Sequence, residues 1–221
     1  MKHKLLLIIA LILVAKLSHS QIIDRYGFNT GLSYSTQIWN YKSISLKEDH
    51  EYKFGFQAFL QAEKDLGNLL AIRTELGFIH KGLKSGIEFI SVDMTPLGTK
   101  YYYFTFNDIA LNIGLKIKPL EAGFSPYLLA GLRGDYMFSY KTKFDKSFSE
   151  QFTIEYGAII EQFNKFNLGG LIGLGLDIKD VIYFEIEYNP NFTKNLDKTG
   201  LSIKDNCWGA KIGLNINKLI K

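Results

Sequence analysis

Through most of the chain beyond residue 25, apolar side chains recur at every second position. Tyr26, Phe28, Leu32, Tyr34 and Ile38 alternate with Gly27, Asn29, Gly31, Ser33, Ser35 and Gln37. The same period returns over about 54–63, 70–78, 108–117, 126–140, 167–178, 182–188 and 207–217. A period of two belongs to strands whose two faces meet different surroundings. About eight strands are predicted, an even number as closed bacterial barrels have. The connections alternate in length: long at 39–53, 81–101, 141–166 and 190–205, short at 64–68 and 119–125, and only Lys179 and Asp180 in the remaining one. Short turns at one end and longer loops at the other are the rule for an up-and-down barrel in a membrane. Strands of ~10 residues, rising ~3.3 Å each and tilted by ~40°, span the ~25 Å apolar band of such barrels.

Volume decides which face points inward. An eight-stranded barrel has an interior just wide enough for side chains to fill it. The Leu, Ile, Phe, Tyr and Trp of eight strands would overfill that space, whereas the Gly, Ser and Asn of the other face fit it. The apolar face therefore points outward, where an uninterrupted belt requires lipid rather than water. Aromatics near the ends of the apolar runs, namely Tyr26, Phe28, Phe54, Tyr127, Tyr136, Phe138, Tyr140, Tyr188 and Trp208, are candidates for interfacial girdles. The expected fold is all-β, an eight-stranded antiparallel up-and-down transmembrane β-barrel over residues 21–221. A soluble ligand-carrying barrel is the alternative topology with the same period.

Residues 1–20 read as a secretory signal, with Lys2 and Lys4 ahead of an apolar run from Leu5 to Ala15 and with Ser18 and Ser20 placed for cleavage. That run is too short to span a bilayer, which takes ~20 apolar residues. Cleavage removes three lysines and lowers the formal charge from +4 to +1, so nucleic acid is not an indicated partner. With 221 residues, 47% of them hydrophobic, the chain suits one domain. Its single cysteine, Cys207, excludes an intrachain disulfide.

Inward-facing charges are predicted at Glu63, Arg73, Glu75, Asp108, Lys116, Arg133, Asp135, Glu185, Glu187 and Lys211. Four cations among six anions can pair across a narrow lumen, and buried charge persists only when paired and hydrogen-bonded. The expected role of this network is structural, a salt-bridge plug; an ion or proton path is the sharper alternative. Glu185 and Glu187 suggest acid–base work, but their spacing is what any inward strand produces. His80 and His50 are placed at or near external strand ends, and His80 with Ser85 and Glu88 is the one nearby set resembling a hydrolytic site, without the spacing of a triad. No metal-ligand cluster, phosphate-binding glycine motif or nucleophile elbow occurs, so no catalytic, cofactor or metal residue is assigned. Within the longest loop, residues 151–166 show helical spacing, with Tyr156, Ile159, Ile160 and Phe163 on one face. That face either packs on the loop's own base or offers an external partner a patch within 141–166.

ELGFIHKGLKSG (75–86), FSPYLLAGLRGDYMFSY (124–140), LGGLIGLGLDI (168–178) and FEIEYNPNF (184–192) resemble, in order and spacing, the PorT-like outer-membrane β-barrel family of Bacteroidota. The resemblance implies an eight-stranded barrel in the cell outer membrane. It also implies a role for some members in protein secretion. The chain departs from many such barrels in ending NINKLIK, without a terminal aromatic. The function expected is a monomeric integral outer-membrane protein with a plugged lumen and long external loops, in a structural, binding or secretion-accessory role. A lipid-modifying enzyme of the outer membrane is the alternative.

Overall fold

The computed structural model describes residues 23–44, 46–93, 95–120 and 123–219. The predicted export segment at residues 1–20 lies outside them. Among the described residues, ten strands form one antiparallel sheet: β1 (Arg25–Tyr41), β2 (Leu46–Asp49), β3 (Glu51–Asp65), β4 (Leu70–Ile90), β5 (Pro96–Ile117), β6 (Phe124–Phe144), β7 (Phe166–Ile178), β8 (Ile182–Pro190), β9 (Leu196–Asp197) and β10 (Leu201–Asn215). Helix α1 (Glu150–Glu161) lies between β6 and β7, and a short helix α2 (Ile216–Leu219) follows β10. Each long strand pairs with its neighbours in sequence, and β1 pairs with β10 from Gly27↔Asn215 to Tyr41↔Leu201. The sheet therefore closes on itself. The closed circuit runs β1-β3-β4-β5-β6-β7-β8-β10, while β2 and β9 are short strands added to β1 and β10 outside it.

The short turns and the starts of β1 and α2 gather at one end, the turn end; the other is the loop end. The tightest turn is the one at Lys179 and Asp180, whose φ angles are +52° and +56°. Two central residues with positive φ make a type I′ turn, whose twist matches that of the strands it joins.

Two of the expected long loops are mostly strand. Residues 81–101 extend β4 to Ile90 and β5 back to Pro96, and residues 39–53 contain the end of β1, all of β2 and the start of β3. At ~3.3 Å per residue, the 22 residues of β5 run far beyond a ~25 Å apolar band, so β4, β5 and β6 rise past it as a three-stranded wall. His80 consequently lies in the middle of β4 rather than at its end. It faces outward against Phe56 (ring centroids 5.5 Å apart), and its Nδ1 is 2.8 Å from Asn107 Oδ1. Ser85 faces inward and Glu88 outward, so the His80, Ser85 and Glu88 set is divided between the two faces of one strand. His50 sits between β2 and β3, buried edge-on against Trp39.

Apolar side chains of β1, β3 to β8 and β10 cover the outside, among them Leu32, Leu60, Leu76, Ile113, Leu132, Leu174 and Ile186. Among the described residues no helix is long and apolar enough to cross a membrane, and the strands carry the belt instead. Most of the aromatics assigned to girdles are exposed on this surface; Tyr127 is not. It is 1% exposed and points into the lumen, because in β6 it belongs to the odd-numbered inward set with Leu129, Arg133 and Asp135.

Candidate functional site

The interior has two parts. In the lower part, toward the turn end, it is built from charge. Arg73 on β4 donates through Nε to Glu63 Oε1 (2.5 Å) and through its other arm to Glu185 Oε2 (2.6 Å). Glu63 also meets Arg25 Nε at 2.8 Å and Lys116 Nζ at 3.1 Å, and Lys116 reaches Asp177 Oδ2 at 2.8 Å. Lys211 on β10 gathers three carboxylates, Glu75 and Glu185 at 3.0 Å each and Glu187 at 2.7 Å. Two tyrosines complete this part. The Tyr127 hydroxyl donates to Glu185 Oε2 (2.7 Å), and the Tyr183 hydroxyl donates to Gln61. Their rings lie under the cations, with Arg73 4.6 Å from the Tyr183 centroid and Lys116 4.1 Å from that of Tyr127.

Glycine makes room for these rings. A Cβ on Gly175 would stand 2.2 Å from Tyr127 Cζ, and one on Gly213 2.1 Å from Tyr183 Cζ. Inward-facing glycines on β7 and β10 are thus the seats of the two tyrosines rather than points of flexibility.

Higher up, Lys81 on β4 is surrounded by Asp108 (2.8 Å), Asp205 (2.9 Å) and Asp135 (3.0 Å), and Asp135 accepts from Arg133 Nε at 2.7 Å. All ten residues predicted for the lumen, Glu63, Arg73, Glu75, Asp108, Lys116, Arg133, Asp135, Glu185, Glu187 and Lys211, are buried and ion-paired. The ten omit Arg25, Lys81, Lys118, Asp177 and Asp205, which are also buried and ion-paired. Lys81 and Asp205 fall in stretches read as loop, although two further steps of the inward set of β4, from Gly77 through Ile79, lead to Lys81. Among the described residues, seven buried Lys or Arg face eight buried Asp or Glu, which leaves the interior near neutrality.

Toward the loop end the interior changes character. Gln37 bridges the two parts, donating to Asp205 Oδ1 (2.8 Å) and accepting from Trp39 Nε1 (3.2 Å). Above it lies an aromatic core of Trp39, Leu83, Tyr102, Phe104, Phe106, Met137, Ile160, Phe163, Leu196 and Ile203. An inward face of Gly, Ser, Asn and paired charge was expected, and this core departs from it. The reason is the helix. Ser149 caps α1, accepting from Phe152 N, and the helix lays Phe152, Tyr156, Ile159 and Ile160 across the barrel end. Tyr156 stacks on Trp39 (5.8 Å), and Phe163 on Phe106 (5.7 Å). The helical face predicted in this loop is thus turned onto the barrel. Ile154, Glu155, Ala158 and Glu161 remain exposed.

On the outer wall, at the loop end, a cleft of about 240 Å³ is lined by Ile38, Asn40, Lys42, Lys194, Ser202 and Lys204. Asp197 at its rim accepts from Lys42 Nζ (2.7 Å) and Lys194 Nζ (3.0 Å), and these two bonds hold its carboxyl below the usual range. No group of three or more His, Cys, Asp and Glu that could hold a metal occurs among the described residues.

No curated protein matches the sequence. Among solved structures, Ail of Yersinia pestis, in complex with the heparin analogue sucrose octasulfate, is 12% identical with a TM-score of 0.40, over 86% of this chain and 98% of that one. OprG of Pseudomonas aeruginosa is 9% identical with a TM-score of 0.38, over 86% and 96%. Neisserial surface protein A is 10% identical with a TM-score of 0.39, over 85% and 96%. The sequence pattern of the outer membrane protein beta-barrel domain matches residues 20–197, and with the closed antiparallel sheet and its outward apolar belt already in view, the chain belongs to that family.

Proposed function

We propose that this protein is a plugged, non-conducting outer-membrane barrel whose eight-strand circuit spans the lipid and holds an external wall in place, in a structural or binding role. The observation that carries this reading is the continuity of the filling. Ion pairs occupy the lumen from Arg25 to Lys81, and aromatic rings occupy it from Trp39 to α1. The soluble ligand-carrying barrel is set aside by the family and by the outward belt.

Residues 1–20 act as the export signal, and the mature chain is a monomer. The PorT-like resemblance supports a secretion-accessory role among the binding roles open to such a wall. A lipid-modifying activity has less support, since His80, Ser85 and Glu88 do not share a face. The lipid profile of a deletion strain is expected to match that of its parent. In planar bilayers the purified protein is expected to give no sustained conductance; stable solute-sized steps would overturn the plug.

A further inference from the structure

We infer that the lysine cleft on the outer wall is a binding site for a phosphorylated lipid headgroup of the outer leaflet. The inference rests on the reading that the loop end faces the exterior. On the outward faces of three adjacent strands, Tyr34, Trp208 and Tyr188 stand in one register row, with the Trp208 and Tyr188 rings 4.7 Å apart. Such a row marks the upper edge of the apolar belt. Lys204 lies four residues farther along the same face of β10, opposite Ile38. With ~3.3 Å per residue and a ~40° tilt it stands ~10 Å above that edge, at headgroup depth.

The charges of the cleft are arranged for an anion. Lys42 is fixed by Asp197 and by the Lys198 carbonyl (2.8 Å), and Lys194 is fixed by the same Asp197. One carboxylate thus holds two ammonium groups in position and neutralises only one of them. Lys204 has no carboxylate partner among the described residues, so three cations and one anion leave the set with a net charge of +2. Asn40 and Ser202 add polar groups, and Ile38 gives the cleft an apolar side toward the belt. A phosphate carried on a lipid satisfies both features, its charge meeting the lysines while its acyl chains stay against the barrel. A free phosphate satisfies only the first.

The test uses the full-length protein in detergent micelles, with native mass spectrometry as the readout and purified diphosphorylated lipid A as the probe. The wild type is expected to retain the lipid, and each of Lys42→Gln, Lys194→Gln and Lys204→Gln to weaken retention about fivefold. Combined, the three should weaken it on the order of a hundredfold. Removing three remote exposed lysines of the wall, Lys141→Gln, Lys143→Gln and Lys146→Gln, is expected to change nothing, which separates the cleft from general surface charge. Heat-modifiable migration identifies folded variants; Lys204→Gln, which breaks no ion pair, serves if the combined variant does not fold. Unchanged retention in Lys204→Gln and the combined variant, or an equal loss in the remote one, overturns the site. Full displacement by millimolar inorganic phosphate overturns the lipid as its ligand in favour of a free anion. A wild type that conducts while binding still depends on the cleft would refute the plug alone.

Discussion

The two parts of the lumen solve the same problem with opposite materials. Toward the turn end the strands are closed around a belt in lipid, and the interior holds cations and anions that satisfy one another. Toward the loop end the strands have left the belt, a helix covers the opening, and the interior is an aromatic core of the kind found in water-soluble domains. The lower part depends on pairing, so removing one partner strands the others. The upper part depends on contact area, so its losses stay local. Position along the strand sets the difference: tyrosine and charged chains seated on glycines fill the narrow, closed section, whereas above it α1 can supply apolar side chains from outside the sheet.

The sharpest way to break this comparison is to remove a cation from the lower part. Lys211→Met leaves Glu187 without an ion pair among the described residues and leaves Glu75 and Glu185 paired with Arg73 alone. The expected cost is about 3–5 kcal/mol in urea unfolding from micelles, with part of it recovered when Glu187→Gln is added. A loss below ~1 kcal/mol would mean that water, not protein, pairs these charges. Next in size, Phe104→Ala in the upper part is expected to cost about 3 kcal/mol, read as faster proteolysis within residues 145–165 while heat-modifiable migration of the barrel is kept. Loss of the barrel as well would show that the two parts are one cooperative unit. Smaller still, Ser149→Ala removes the cap of α1 and should raise proteolysis of the same segment by about 1 kcal/mol in opening free energy. Smallest, Lys179→Asn places a residue that tolerates positive φ in the I′ turn and should stabilise the barrel by roughly 0.5 kcal/mol in the same urea experiment.

What could be read from the sequence follows the same division. Where one face meets lipid and the other a polar lumen, polarity changes at every residue, and the strands, the face direction and the ten network residues are legible. Above the belt that contrast disappears. In YYYFTF (101–106), Tyr102, Phe104 and Phe106 point inward while Tyr101 and Tyr103 point outward. Both faces are aromatic, so strand was indistinguishable from apolar loop, and Lys81 and Asp205 went unrecognised with it. Tyr127 was misplaced for a different reason. Its ring suits an interface by chemistry, and only its parity with Arg133 along β6 reveals that it points inward. The helix in 150–161 was legible as a helix, but the surface receiving its apolar face was not, because that surface comes from strands distant in sequence.

Cys207 offers the most direct test of a filled lumen without any substitution. It lies on the inner face of β10 between Asp205 of the Lys81 cluster and Lys211 of the lower network, and it is 3% exposed. Treating folded wild-type protein in micelles with a membrane-impermeant maleimide is predicted to leave this thiol unlabelled over hours, with stoichiometric labelling once urea unfolds the barrel. Rapid labelling of the folded barrel would contradict the account, since it would require an open aqueous path to the middle of the lumen.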